Sequence, residues 1–251
     1  MSLSTCRVVL VRTHYAGNIG STARAMRNFG LSELVLVDPI ASPLAHEARQ
    51  LATHGVDVLD SARVVNDLGE AVGDCAFVLG TAGVTDGMFR QIAVGTPEEH
   101  LPRLLTAMGS GPVALVFGPE PHGLSNADVT RCHGLIQIPT HPDAPSLNLA
   151  HAVAVCGYEL HRLAATRSGA RADTAAVAPV AEQERMFDHL RQALEAIHFL
   201  YGTKAGPLMH AVRQLIGRSM PTPREVRMLH GVARQLLWAA KHLPPKNDPS
   251  G

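Results

Sequence analysis

The sequence predicts an α/β fold on a mostly parallel sheet, followed by a small all-helical C-terminal extension. Short runs rich in β-branched residues and leucine recur at Val8–Val11, Leu34–Val37, Phe77–Leu79, Val113–Phe117 and Leu135–Ile138. Helical patterns separate these runs, the alternation expected of a parallel sheet covered on both faces. Beyond them the spacing is helical only, with Met186, Leu190, Leu194 and Ile197 on one stripe.

The first run reads as a buried strand leading into Asn18-Ile19-Gly20-Ser21-Thr22-Ala23-Arg24. A helix is predicted from Ser21 to Phe29, closed by Gly30. Its first-turn N–H groups would face the edge where open α/β sheets bind ligands, a ready anion site. Arg24 and Arg27, three apart, would share a helical face beside it. Taken alone, a Gly-rich turn with a surface arginine explains the segment equally well. Thr96-Pro97-Glu98-Glu99 is a capping box with proline at the first helical position, opening a helix through about Ala107. Ser125 offers a second N-cap after the Val113–Phe117 strand. From Leu147 to about Leu163, Leu149, Val153, Cys156 and Leu160 fall at helical spacing and should face the sheet. Residues 164–180 turn to Ala, Thr, Arg, Gly and Pro without periodicity and read as a linker. Two further helices, about Pro207 to Ile216 and Pro223 to His242, complete a small bundle.

The 251 residues, 46% apolar and 18% charged, suit one globular domain with an appendage rather than a disordered chain. No apolar run approaches a membrane span and no signal-type segment precedes the first strand, so a cytoplasmic protein with no membrane partner is expected. Cys6, Cys75, Cys132 and Cys156 form no C-x-x-C pair and read as reduced, buried thiols. Among the 14 histidines, His141, His151 and His161 recur at a spacing that matches no ligand pattern, and no metal is predicted. The net charge is zero, yet residues 1–165 carry 10 Lys+Arg against 15 Asp+Glu, and residues 166–251 carry 12 against 7. A basic tail of +5 on a body of −5 fits a polyanion held by the tail; a solvated helical face is the equal alternative.

Two more loops carry chemistry. In Phe117-Gly118-Pro119-Glu120-Pro121-His122-Gly123-Leu124-Ser125, Gly118 permits close approach of a ligand and Glu120 brings a carboxylate to the sheet edge. In the third, Ser146-Leu147-Asn148 opens the Ala-rich helix after Ile138-Pro139; Ser146 is placed either to cap that helix or to face a ligand. A nicotinamide-binding Rossmann unit is a rival reading of the first loop, but Gly17-x-x-Gly20 lacks the G-x-G-x-x-G spacing. Neither glycine loop ends in the Gly-Lys-Ser/Thr of a phosphate-binding NTPase.

Together the motifs N-I-G-S-T-A-R at 18–24, F-G-P-E-P-H-G-L-S at 117–125 and I-P-T-H-P-D-A-P-S-L-N-L-A-H-A-V-A-V at 138–155 resemble the SpoU/TrmH branch of the SPOUT methyltransferases. Within it they look most like the TrmJ-type tRNA 2'-O-ribose methyltransferases. The likeness covers residues 5–163 and extends weakly into the helical tail, giving expected domains at 1–163 and 181–251 joined by the 164–180 linker. The resemblance implies a deep trefoil knot in the α/β domain, and S-adenosylmethionine (SAM) held by Thr81, Ala82, Gly83, Gly118, Ile138, Pro145, Ser146 and Leu147. It makes Arg24 the catalytic arginine, Asn18 and Glu120 shapers of the site, and Ser146 a functional serine. It further implies a homodimer with the active site across the subunit interface. The implied reaction is 2'-O-methylation of tRNA, at anticodon-loop nucleotide 32, with Arg24, Arg27 and Arg90 touching RNA.

Those residue types suit that chemistry. A ribose hydroxyl must lose its proton to attack, while a sulfonium donor needs alignment more than acid help. A guanidinium beside a phosphate anchors the backbone and stabilises developing alkoxide charge. Because arginine stays protonated, its family role as general base is left open. Two departures from the family pattern would weaken or redirect RNA binding, and the one at 81–90 keeps an RNA-binding SPOUT relative without turnover as an alternative. Relatives carry Ser-Ala-Arg and a further arginine where this chain has Thr81 to Arg90, and Arg or Asn where it has Pro119; each change removes a polar or cationic contact.

Overall fold

The computed structural model describes residues 2–83, 92–166 and 176–242. Seven parallel strands form one sheet: β1 (Cys6–Val11), β2 (Glu33–Val37), β3 (Arg63–Val65), β4 (Phe77–Ala82), β5 (Val94–Gly95), β6 (Val113–Phe117) and β7 (Gly134–Gln137). Their spatial order is β3-β2-β1-β6-β4-β7-β5. Side chains alternate between faces along each strand, and the core divides accordingly. Val8 and Leu10 join a buried cluster with Ile19, Met26, Leu101 and Val153, whereas Val9 and Val11 join another with Leu68, Val129 and Val180.

The helices of the first face are α1 (Ala16–Asn28), α2 (His46–Ala52), α3 (Val56–Asp60), α5 (Pro97–Ala107) and α7 (Leu149–Thr166); α4 (Leu68–Val72) and α6 (Asn126–Val129) serve the other. The predicted capping boxes are both formed, at Thr96 with Glu99 and at Ser125 with Asp128. Arg12, at the exit of β1, donates to Asp128 at 2.5 Å and so ties the sheet edge to α6.

One correction concerns α1. It begins at Ala16, not Ser21, so Asn18 and Gly20 belong to its first turns instead of preceding it, and the N–H groups of Ser21 and its neighbours are inside the helix. Glycine is ordinarily a poor helix residue. Here a Cβ on Gly20 would stand 2.0 Å from the Ala48 carbonyl oxygen, so the glycine is what lets α2 cross α1.

Three further helices, α8 (Val180–Ala196), α9 (Ala205–Gly217) and α10 (Pro223–His242), pack around Met186, Phe187, Leu190, Met209, Val226 and Ala233. Of the segment read as a linker, residues 164–166 complete α7 and 176–180 approach α8, with Ala178 fully buried; residues 167–175 lie outside the described residues. The bundle is attached to the α/β body by backbone bonds from Val180 to the Cys75 carbonyl (2.8 Å) and from Ala181 to the Gly73 carbonyl (2.9 Å). Buried His133 completes the attachment: its Nδ1 accepts from the Val78 N–H at 3.0 Å, which leaves Nε2–H to donate to Gln183 Oε1 at 3.2 Å. All four cysteines are buried and free.

Candidate active site at the carboxyl edge of the sheet

The chain segments leaving β4, β6 and β7 converge around a cavity of about 830 Å³. Thr81 and Ala82 end β4 and Gly83 follows them; Gly118 and Glu120 follow β6; Ile138 follows β7; and Pro145, Ser146 and Leu147 lead into α7. All eight residues assigned to a cofactor from sequence thus line one cavity. Its walls combine apolar Phe117, Ile138 and Leu149 with the carboxylates of Glu99 and Glu120. The Glu120 loop is tightly wound, Gly123 donating to the Pro119 carbonyl at 2.8 Å. A Cβ on Gly118 would lie 2.3 Å from the Gly123 carbonyl carbon and the Leu124 nitrogen, so only glycine fits there.

A polar relay joins the three motifs. Asn18 Nδ2 donates to Glu120 Oε1 at 2.7 Å, and the His14 N–H donates to Oε2 at 3.0 Å. Asn148 Nδ2 in turn donates to Asn18 Oδ1 at 2.9 Å. Both Glu120 oxygens are therefore engaged at the N-terminal end of α1, whose dipole favours a negative charge. Asn148 Oδ1 accepts from the N–H groups of Ala150 (2.9 Å) and His151 (3.4 Å), so Asn148 is the cap of α7. Of the two roles open to Ser146, capping is thereby taken, and its side of the loop lines the cavity. Sequence reasoning passed over Asn148; asparagine directly before an Ala-rich helical run was the available signal.

Residues 5–158 match the SpoU rRNA Methylase family, and residues 181–245 match the tRNA methyltransferase TrmJ, C-terminal domain. The chain belongs to the SpoU methylase family. Among its relatives, the tRNA (cytidine/uridine-2'-O-)-methyltransferase TrmJ of Sodalis glossinidius is 36% identical, across 98% of this chain and 96% of that protein. The crystal structure of TrmJ from Z. mobilis ZM4 superposes with a TM-score of 0.77 at 33% identity, covering 92% of this chain and 98% of that one. The SpoU methyltransferase AviRb from Streptomyces viridochromogenes, solved in complex with the cofactor AdoMet, gives a TM-score of 0.52 at 25% identity, covering 66% of this chain and 62% of that one.

In this SpoU-family chain Arg24 and Arg27 stand apart from the cavity. Arg24 lies on α1 beyond Asn18, exposed and outside the cavity lining. Arg27 is also exposed and pairs with Asp57 at 3.5 Å. Arg90 lies outside the described residues. The chain thus unites Asn18, Glu120 and Ser146 with the cavity and leaves Arg24 at the surface. Among the described residues no cluster of three or more His, Cys, Asp or Glu side chains could hold a metal ion, and no helix is long and apolar enough to cross a membrane.

Proposed function

We propose that this chain transfers a methyl group from SAM to the ribose 2'-hydroxyl of anticodon-loop nucleotide 32 in tRNA. The observation that carries this reading is the convergence of Thr81, Ala82, Gly83, Gly118, Ile138, Pro145, Ser146 and Leu147 on one cavity, tied by Glu120 and Asn18 to the helix that bears Arg24. The cavity fits the donor. Its volume of about 830 Å³ lies in the range of cofactor sites, and its apolar walls suit an adenosyl group. Its carboxylates favour a cation, although Glu99 also accepts from the Thr96 N–H at 2.9 Å and both Glu120 oxygens are engaged by Asn18 and His14.

When bound, SAM supplies an electrophilic methyl on a sulfonium. The protein residues then bind and orient. Gly83, whose missing side chain leaves open space, would let backbone come close to the donor, while Gly118 lets the Glu120 loop fold back on Gly123 and Leu124. The relay fixes the Glu120 carboxylate, and Ser146 presents a hydroxyl to the reacting groups. Arg24 anchors a tRNA phosphate and stabilises the alkoxide that forms as the hydroxyl loses its proton. Because Arg24 stands outside its own cavity, the reading includes a homodimer in which each arginine serves the partner's cavity. It also includes residues 1–163 as the methyl-transfer domain, 164–180 as connection and 181–251 as the RNA-holding domain, in a cytoplasmic protein. A deep trefoil knot belongs to the same reading; β7, lying between the earlier strands β4 and β5, supports it.

The test is incubation with labelled SAM and unmodified tRNA, followed by nuclease mapping of the product. Label on the ribose of nucleotide 32 is expected. Label on a base overturns the chemistry, and binding of tRNA without any label points to a SPOUT relative that has lost turnover.

A further inference from the structure

Two carboxylates line the cavity, and the bonds around them differ. Glu120 has both oxygens engaged, one by Asn18 and the other by the His14 N–H. Glu99, in the first turn of α5, uses only Oε2, which accepts from the Thr96 N–H at 2.9 Å in the capping box. Its Oε1 makes no hydrogen bond or ion pair with any described residue. A glutamate at this position of a capping box satisfies the helix terminus with one oxygen. The box therefore accounts for Oε2 and leaves Oε1, on an exposed side chain of the cavity wall, for a ligand. Gly95, ending β5, makes room for the carboxylate: a Cβ there would stand 2.6 Å from Oε2 and 2.8 Å from Nε2 of buried His100.

The neighbours of Glu99 do not supply its counter-charge. Burial first, and then Arg103, hold the His100 imidazole below the usual histidine range, against Glu99 and the Ala93 backbone, so it is neutral near pH 7. Arg103, one turn further along α5, is drawn elsewhere: it lies over the Phe77 ring and donates to the Arg218 carbonyl. No lysine or arginine is among the described residues that line the cavity. A carboxylate with a free oxygen is matched best by a cation that carries N–H groups. SAM has two positive groups. The sulfonium has no N–H to donate, and its methyl must face the ribose hydroxyl. The α-ammonium has three donors and takes no part in the transfer.

We propose that Glu99 binds the α-ammonium of the methyl donor's amino-acid tail and so fixes how the donor lies in the cavity. The proposal rests on the function proposed above and adds a donor-binding residue to the same site. The neutral hydroxyl and amino groups of the adenosyl half would leave the charge of Glu99 uncompensated, and the donor's own carboxylate would be repelled by it.

The test is isothermal titration calorimetry of the full-length chain with SAM, S-adenosylhomocysteine and 5'-methylthioadenosine. The first two carry the ammonium, and the third keeps the adenosyl group without the amino-acid tail. Glu99→Gln keeps a side chain that serves the capping box, so the melting temperature of the ligand-free variant should match wild type. The variant should bind SAM and S-adenosylhomocysteine more weakly, both by roughly ten-fold. Its affinity for 5'-methylthioadenosine should stay at the wild-type value. Unchanged SAM affinity overturns the proposal. An equal loss of 5'-methylthioadenosine also overturns it, by assigning Glu99 to the adenosyl half, and a loss of SAM without S-adenosylhomocysteine does so by assigning it to the sulfonium. A wild-type chain that binds none of the three overturns the methyl-donor reading itself.

Discussion

Asn148 performs two tasks that substitution can separate. Its Oδ1 caps α7 and its Nδ2 holds Asn18, which in turn holds Glu120. Asn148→Ala removes both. Loss of the cap costs about 1 kcal/mol, and loss of the exposed tie to Asn18 about 0.5 kcal/mol. For a chain of this size that total lowers the melting temperature by about 3–6 °C. Asn148→Asp keeps a capping oxygen and so should lose only the smaller part, about 1–2 °C. It also sets a second carboxylate against Asn18, whose amide nitrogen already serves Glu120. Turnover in Asn148→Asp should therefore fall several-fold although the fold is nearly as stable as wild type. Thermal unfolding followed by circular dichroism, paired with methyl-transfer rates, checks both halves. If Asn148→Asp melts as low as Asn148→Ala, the cap assignment is wrong; if it turns over at the wild-type rate, the relay does not serve the reaction.

Arg24→Ala should abolish turnover while SAM affinity, measured by calorimetry, changes little, because Arg24 is exposed and lies outside the cavity lining; parallel loss of both would make it a structural residue. Gly118→Ala drives a Cβ to 2.3 Å from backbone atoms of Gly123 and Leu124, a strain of about 1–3 kcal/mol. The loop must shift, and SAM binding should be lost; undiminished affinity would remove this loop from the donor site. Burial pushes the Cys75, Cys132 and Cys156 thiols up to about 12 from an ordinary 9.0. Since the folded values are raised, their contribution to stability is fully present below pH 9 and is lost as pH rises towards 12. The urea midpoint should therefore hold between pH 7 and about 8.5 and decline above 9, with thiol reagents reacting only after denaturant is added. Rapid labelling of the native protein at neutral pH would contradict this.

Local signals were legible where the residue itself makes the structure. The Thr96 capping box marks the start of α5, and the Val113–Phe117 run coincides with β6 because all five residues are buried. The three site loops were legible as motifs, and the cavity lining they predict is the one observed. Elements fixed by partners were not legible. β3 is an edge strand in which Arg63 and Val64 are exposed, and β5 has only two residues, so neither carries a hydrophobic pattern. The start of α1 was missed for the opposite reason. Gly17 and Gly20 look like a turn by propensity, yet a side chain at Gly20 would collide with the Ala48 backbone, a contact between segments far apart in sequence. Asn148 combines both cases: its capping role is local, but its hold on Asn18 spans 130 residues and has no sequence signature.

The position of β7 has a consequence for synthesis. Because it is inserted between β4 and β5, a nascent chain that stops short of Gly134 leaves β4 with one edge bare. That strand is among the most apolar of the sheet, with Phe77, Val78 and Leu79 fully buried once folding is complete. An open edge of this kind templates pairing with other chains. Stalled or shortened translation products should therefore aggregate rather than accumulate as soluble fragments, and the half-made protein depends on chaperones until its last strand arrives.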